Sequence, residues 1–273
     1  MMAGTPRRDR PLVVVKLGGS VITRKREVER IRPKILDRLA REVAQTPERD
    51  VVLLHGAGSF GHPGARRFGL AAPPRSGSDP RHRARGAAIV ATEVRRLHLE
   101  VLRALVRAGA SPASVPIATH ARNRAGRLVA FDVTPFAISL ARGSIPVSFG
   151  DVVPDEEWGY SILSADTIAT ALVPPLHPDR VVFVSDVPGI LSAGGGGRRT
   201  VVEAITDEVV AGLRSRPGAT DVTGGIRGKA EAIRTIARAG ADAGLISGLT
   251  DGALSRAIRG EKVYGSWAHA ESR

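Results

Sequence analysis

Short apolar runs that stop at glycine, separated by longer helical segments, constrain this chain more than any other feature. Residues 12–16 (Leu-Val-Val-Val-Lys) run into Gly18-Gly19-Ser20, and residues 51–54 (Val-Val-Leu-Leu) run into another glycine turn. Apolar runs without alternation mark strands covered on both faces, as in a parallel sheet beneath helices. Similar runs lie at 114–118, 145–149, 181–184 and 243–246. Between them, apolar residues at helical spacing predict helices over 31–44, 84–108, 134–142, 166–172, 207–214, 226–239 and 251–259. Strand alternating with helix predicts an α/β sandwich with a mainly parallel central sheet.

Loops are expected at 71–80 and at 192–199, the latter mobile because it holds four consecutive glycines. Pro174-Pro175 is the expected boundary between two lobes, and residues 1–10 and the last five are expected to be disordered tails. The chain has no cysteine, which excludes disulfides, Cys-ligated zinc, iron–sulfur clusters and thiol nucleophiles. No apolar run approaches the roughly 20 residues of a membrane-spanning helix. The polar, basic residues 1–10 do not read as a signal peptide, so the expected location is cytoplasmic.

The net charge of +13 points to anionic partners. Arginines are scattered along the chain and aromatics make up only 4%, too few for a base-stacking platform, so no specific nucleic-acid partner is expected. Of 40 basic residues only five are lysine: Lys16, Lys25, Lys34, Lys229 and Lys262. A chain that uses arginine almost everywhere keeps lysine where a compact point charge fits among phosphate oxygens and a planar guanidinium does not.

Three glycine-rich turns carry the chemistry. In Lys16-Leu-Gly-Gly-Ser20, backbone N–H groups at a strand end form an anion nest within reach of the lysine. In His55-Gly-Ala-Gly-Ser-Phe-Gly-His62, the glycines again admit an anion, and His62 adds a donor or serves as a core histidine; His55, nearer the strand, reads as structural. In Asp221-Val-Thr-Gly-Gly-Ile-Arg-Gly-Lys229, a helix opens with a lysine in its first turn, either a phosphate site or a cap with a solvated lysine. Asp166 opens another helix, as a plain N-cap or as an ion-pair partner that holds two lysines in register. Asp186 and Gly189 follow the strand at 181–184, where open α/β sheets bind ligands. Facing anion sites bridged by lysines suit phosphoryl transfer between two phosphorylated species.

These residues resemble the amino acid kinase superfamily and, within it, the isopentenyl phosphate kinases, over about residues 11–268. The segments that carry the resemblance are Lys16 through Lys25, Ser59-Phe-Gly-His62, Val147-Ser-Phe-Gly-Asp-Val152, and Asp221 through Gly225 with Lys229. The resemblance implies an open αβα sandwich, with the acceptor bound in a lobe of residues 11–175 and MgATP in a lobe of residues 176–268. It implies a catalytic set of Lys16, Lys25, His62, Asp166 and Lys229, and ATP contacts from Lys16, Gly18, Gly19, Ser20, Gly58, Asp186, Gly225 and Lys229. Ala57, Gly58, His62 and Gly150 would hold the acceptor phosphate, with Gly18, Gly19 and Gly58 as backbone donors. It further implies a homodimer acting on a small phosphorylated substrate; no metal-ligating residue is singled out in the sequence. The chain departs from the family pattern at Ala57, Thr167 and Pro188. A fosfomycin-type phosphonate kinase on the same scaffold, and a non-catalytic phosphate or nucleic-acid binder, are the competing readings.

Overall fold

The structure, a computed structural model, describes residues 10–24, 27–193, 199–213 and 225–271. Lys25, residues 1–9, the glycine run at 194–197 and residues 221–224 of the third turn lie outside the described residues.

Among the described residues one seven-stranded sheet forms the centre, in the order β13 (Gly265–Ala268), β12 (Asp242–Ser247), β9 (Arg180–Ser185), β1 (Leu12–Leu17), β2 (Asp50–His55), β6 (Ile145–Phe149), β3 (Pro112–Ser114). All neighbours are parallel except β13, which runs antiparallel at the edge. Strand alternation divides β1 between two cores. Leu12 and Val14 join Phe136, Ile168 and Ile233 on one face, and Val13, Val15 and Leu17 join Leu36, Leu39, Leu97 and Leu254 on the other. Helices α5 (Thr134–Ala141), α6 (Ala165–Ala171) and α9 (Gly225–Arg238) cover the first face. Helices α2 (Pro33–Ala44), α4 (Pro80–Arg107) and α10 (Ala253–Arg259) cover the second. The expected αβα sandwich is what forms, because a strand apolar on both faces is stable only between two helical layers.

Three sequence expectations are corrected. The run at 114–118 is not one strand: β3 ends at Ser114, and a 3-10 turn occupies Ile117–Thr119. Pro116 has no N–H to extend the ladder. The glycine turn after β2 is in large part a helix, α3 (Gly58–Arg67), preceded by the four-residue α1 (Gly19–Ile22) after β1. The glycines of α3 serve close packing: a Cβ on Gly61 would lie 2.8 Å from Val94 Cγ2, and one on Gly64 would lie 2.7 Å from Val90 Cγ2, both on α4. Pro63 leaves the Ser59 carbonyl without its helical donor, and the Glu29 N–H supplies one at 3.2 Å.

The third correction is a second sheet absent from the sequence reading, β5 (Arg127–Phe131), β4 (Ala121–Arg124), β7 (Asp151–Asp155), β8 (Gly159–Leu163). Its strands are short and partly polar, so neither apolar runs nor clean alternation marks them. Buried Asp155 ties its turns together, accepting the N–H groups of Ala125, Gly126, Glu157 and Trp158 and the Ser161 hydroxyl. Burial works to raise the Asp155 carboxyl, but these donors prevail and hold it at about 2. Asp155→Ala orphans all five donors and is expected to cost about 3 kcal/mol in chemical denaturation. A loss under about 0.5 kcal/mol, the scale of an ordinary surface change, would show that the sheet does not depend on this carboxylate.

Candidate active site

The parallel strands β1, β2, β6 and β9 end together, with Leu17 opposite His55 and Val184, and His55 opposite Phe149. Gly18, Gly56, Gly150 and Asp186 therefore emerge side by side along one sheet edge. Here backbones approach closely. A Cβ on Gly19 would lie 2.3 Å from the Gly58 nitrogen, and Gly58 adopts φ +51°, which favours glycine. Ala57 stands at φ −70°, ψ −26°, an ordinary helical conformation, so an alanine here among the glycines of the turn carries no backbone cost.

Lys16 shares the sheet face of Leu12 and Val14, which directs it toward α6 and α9. Its Nζ lies 2.6 Å from Asp166 Oδ1, and Lys229 Nζ of α9 lies 3.4 Å from Asp166 Oδ2. All three side chains are largely buried. Asp166 is thus the bridging partner of two lysines and not the cap. The cap of α6 is Ser164, whose hydroxyl accepts the Thr167 N–H at 3.0 Å and meets the Thr167 hydroxyl at 2.9 Å. Thr167, one of the departures from the pattern that the resemblance implies, thereby serves helix initiation. Burial opposes ionisation of Asp166, but Lys16 first and then Lys229 hold its carboxyl below the usual range. Asp186, at the end of β9, accepts the Ser20 hydroxyl at 2.7 Å.

A cleft opens beside Lys16 and Asp166. Gly56, Ala57, Gly61, Gly150 and Asp151 line it, together with the apolar Ala65 and Ile162. His62, half-buried on α3, directly follows Gly61 and lies beside this lining without being part of it. Asp151, fully buried, is ion-paired to Arg95 of α4 at 3.0 Å. Burial pushes its carboxyl up to about 6, against the pull of Arg95 and the Val152 N–H. Neither Asp151 nor Arg95 was singled out from sequence. The only signal was the Gly-Asp pair after the strand at 145–149, which leaves the charged partner on a distant helix unspecified.

Gly18, an expected backbone donor, and Gly150, expected to hold the acceptor phosphate, both have their N–H groups otherwise engaged. The Gly18 N–H donates to Val184 O at 2.7 Å and the Gly150 N–H to His55 O at 3.0 Å. These glycines instead provide room: a Cβ at Gly18 would lie 2.8 Å from Val184 O, and one at Gly150 would lie 3.0 Å from the Ala165 nitrogen. The Ala57 N–H has no hydrogen-bond partner among the described residues. Gly225 opens α9 at φ +61°. His55 is structural, as expected: it is fully buried, and burial and the neighbouring His98 lower its pKa to about 3.

The amino acid kinase family model matches residues 11–246. The chain belongs to the amino acid kinase family. The isopentenyl phosphate kinase of Methanothermobacter thermautotrophicus is 32% identical over 268 residues, covering 93% of this chain and 98% of its own length. That of Thermoplasma acidophilum is 35% identical over 224 residues, covering 81% and 85%. X-ray structures of isopentenyl phosphate kinase superpose with a TM-score of 0.82 at 29% identity, covering 94% of this chain and 100% of that one. A product complex of the T. acidophilum kinase superposes with a TM-score of 0.75 at 28% identity, covering 94% and 99%. The resemblance read from the lysine, Ser-Phe-Gly-His and Gly-Asp segments is borne out. Among the described residues of this family member, no helix is long and apolar enough to cross a membrane.

Proposed function

We propose that this protein transfers the γ-phosphoryl group of ATP to isopentenyl phosphate, giving isopentenyl diphosphate. The observation that carries this reading is the buried Lys16–Asp166–Lys229 array beside a cleft that the apolar Ala65 and Ile162 help to line. The isopentenyl phosphate kinases to which the chain is similar supply the substrate class. Phosphoryl transfer through a loose transition state calls for alignment and positive charge more than for covalent chemistry. Lys16 and Lys229, with Lys25, would neutralise the transferring phosphoryl and the β- and γ-oxygens of ATP. Asp166 spaces two of those ammonium groups and keeps them from repelling each other. Gly19, Ser20, Gly58, Asp186 and Gly225 would border the nucleotide. Ala57 and His62 would hold the acceptor phosphate.

Among the described residues no group of three His, Asp or Glu side chains is placed to hold a metal ion, and Asp166 is already engaged by lysines. Magnesium would be held chiefly by the nucleotide's own phosphate oxygens, as suits an ion that keeps most of its coordination for water and phosphate. An acceptor lobe of residues 11–175, a nucleotide lobe of residues 176–268, a homodimer and a cytoplasmic location complete the proposal.

The test is turnover of isopentenyl, dimethylallyl and geranyl phosphates and of fosfomycin with ATP and magnesium. Isopentenyl phosphate should show the highest kcat/KM. Faster turnover of fosfomycin or of an amino acid would overturn the proposal. The role of His62 has its own test. A phosphate monoester, with a second pKa near 6, is already largely dianionic at pH 7 and needs no base. His62→Gln keeps a donor and should retain much of the activity, whereas His62→Ala should lose kcat/KM for the acceptor with little change in the KM for ATP. Equal damage from both would indicate a general base.

A further inference from the structure

Behind the cleft lies a chain of hydrogen bonds that the proposed reaction does not use directly. His55 Nδ1 lies 3.2 Å from the Gly56 carbonyl oxygen, His55 Nε2 lies 3.1 Å from His98 Nδ1, and His98 Nε2 lies 2.8 Å from Ser114 Oγ. Phe149 stacks on His55 with centroids 5.3 Å apart and packs tilted against His98 at 4.4 Å. Both histidines are buried, and burial lowers them to about 3 and about 4, so each carries one ring proton at neutral pH.

The direction of the chain follows from its one fixed end. A carbonyl only accepts, so His55 Nδ1 carries the proton that Gly56 receives. His55 Nε2 must then accept, His98 Nδ1 must donate, and His98 Nε2 must accept from the Ser114 hydroxyl. No other arrangement of neutral rings satisfies all three contacts. The Gly56–Ala57 peptide is trans and planar, so its carbonyl and its N–H point in opposite directions. Pinning the Gly56 carbonyl back toward His55 turns the Ala57 N–H the other way, and that N–H is unpartnered in residues that line the cleft.

We infer that His98 and Ser114, acting through His55, are positioning residues that lock the Gly56–Ala57 peptide so that its N–H donates to the acceptor phosphate. The inference rests on the acceptor site proposed above. It concerns residues on α4 and β3 that touch no substrate.

Two measurements on the full-length protein test it. In the first, long-range proton–nitrogen correlation with 15N-histidine labelling reads the ring tautomers of the wild type. His55 and His98 should both show the Nδ1–H form, the less common one for free imidazole, and neither should titrate between pH 5.5 and pH 8. An Nε2–H form at either ring, or titration in that range, overturns the inference whatever the variants do.

In the second, calorimetric titration reads isopentenyl phosphate and inorganic phosphate binding to wild type, His98→Leu and His98→Asn. His98→Leu removes the donor to His55, and the affinity for both anions should fall about 10- to 100-fold, the scale of one hydrogen bond to a charged group. His98→Asn sets an amide nitrogen where Nδ1 stood and should recover most of that loss. ATP affinity should not change in either variant, whereas a merely structural role would move it as well. Affinities equal to wild type in His98→Leu overturn the inference. Wild-type binding of inorganic phosphate but not of isopentenyl phosphate, with the same dependence on His98, rejects the substrate and keeps the relay. Binding of neither anion by the wild type rejects both. The tautomer measurement stands even if His98→Leu does not fold.

Discussion

Lys16→Ala is expected to lower kcat about 10²- to 10³-fold, the scale of losing one preorganised charge stabiliser. Lys229→Ala should do the same, since both ammonium groups converge on Asp166 at the sheet edge. Lys16→Arg should not restore the rate. Lys16 is only 5% exposed, and a planar guanidinium does not occupy the place of a compact ammonium. The measurement is single-turnover transfer at saturating ATP and acceptor, which separates the chemical step from binding. Wild-type rates in either alanine variant would place the transfer elsewhere. From sequence neither lysine belongs to a core, which predicts a folded state indifferent to their loss. The burial of Lys16 and Asp166 corrects this for Lys16. Its removal leaves a buried carboxylate with the longer contact to Lys229 alone, and should cost about 1–3 kcal/mol.

Asp166→Ala is expected to have the largest effect on stability. It leaves two largely buried ammonium groups facing one another without a counter-charge, and breaking a buried ion pair from one side costs about 3–5 kcal/mol. For a chain of this size that corresponds to a fall in Tm on the order of 10 °C. Replacing Lys16 and Asp166 together, by Met and Leu, should be less destabilising than Asp166→Ala alone, because no orphaned buried charge remains at the pair itself. A single variant no less stable than the double one would show that the array contributes nothing as a unit. The pH dependence has a definite sign. The Asp166 carboxyl is held below its unfolded value of about 3.9 by Lys16 and Lys229. Its stabilisation is therefore in force above about pH 4 and is lost as the pH falls through the depressed folded value. Acid titration of wild type against the double variant isolates it, with the wild type losing its advantage only at the acid end.

The architecture was legible because it is written locally. An apolar run such as residues 12–15 needs cover on both faces whatever surrounds it, and a glycine after it ends the strand. Parallel strands must then end on one edge, so Lys16, Gly56, Gly150 and Asp186 were bound to meet there once the sheet was parallel. The small second sheet was not legible, since its short strands are held by the Asp155 carboxylate rather than by an apolar pattern. Helix α3 was hidden for a related reason: its glycines look like a loop until Val90 and Val94 of α4 come close enough to require them.

The sequence by itself determined which side chains carry charge and which turns admit a phosphate. It left open whether Asp166 caps a helix or joins two lysines, because Ser164 two residues earlier is an equally good cap. Only the packing of α6 and α9 on the same face of β1 decides it, by bringing Lys16 and Lys229 to one carboxylate. The pairing of Asp151 with Arg95 and of His55 with His98 arises in the same way. Periodicity encodes the face on which a residue lies, but the partner it meets there depends on which element packs across that face, and that is settled by tertiary structure alone.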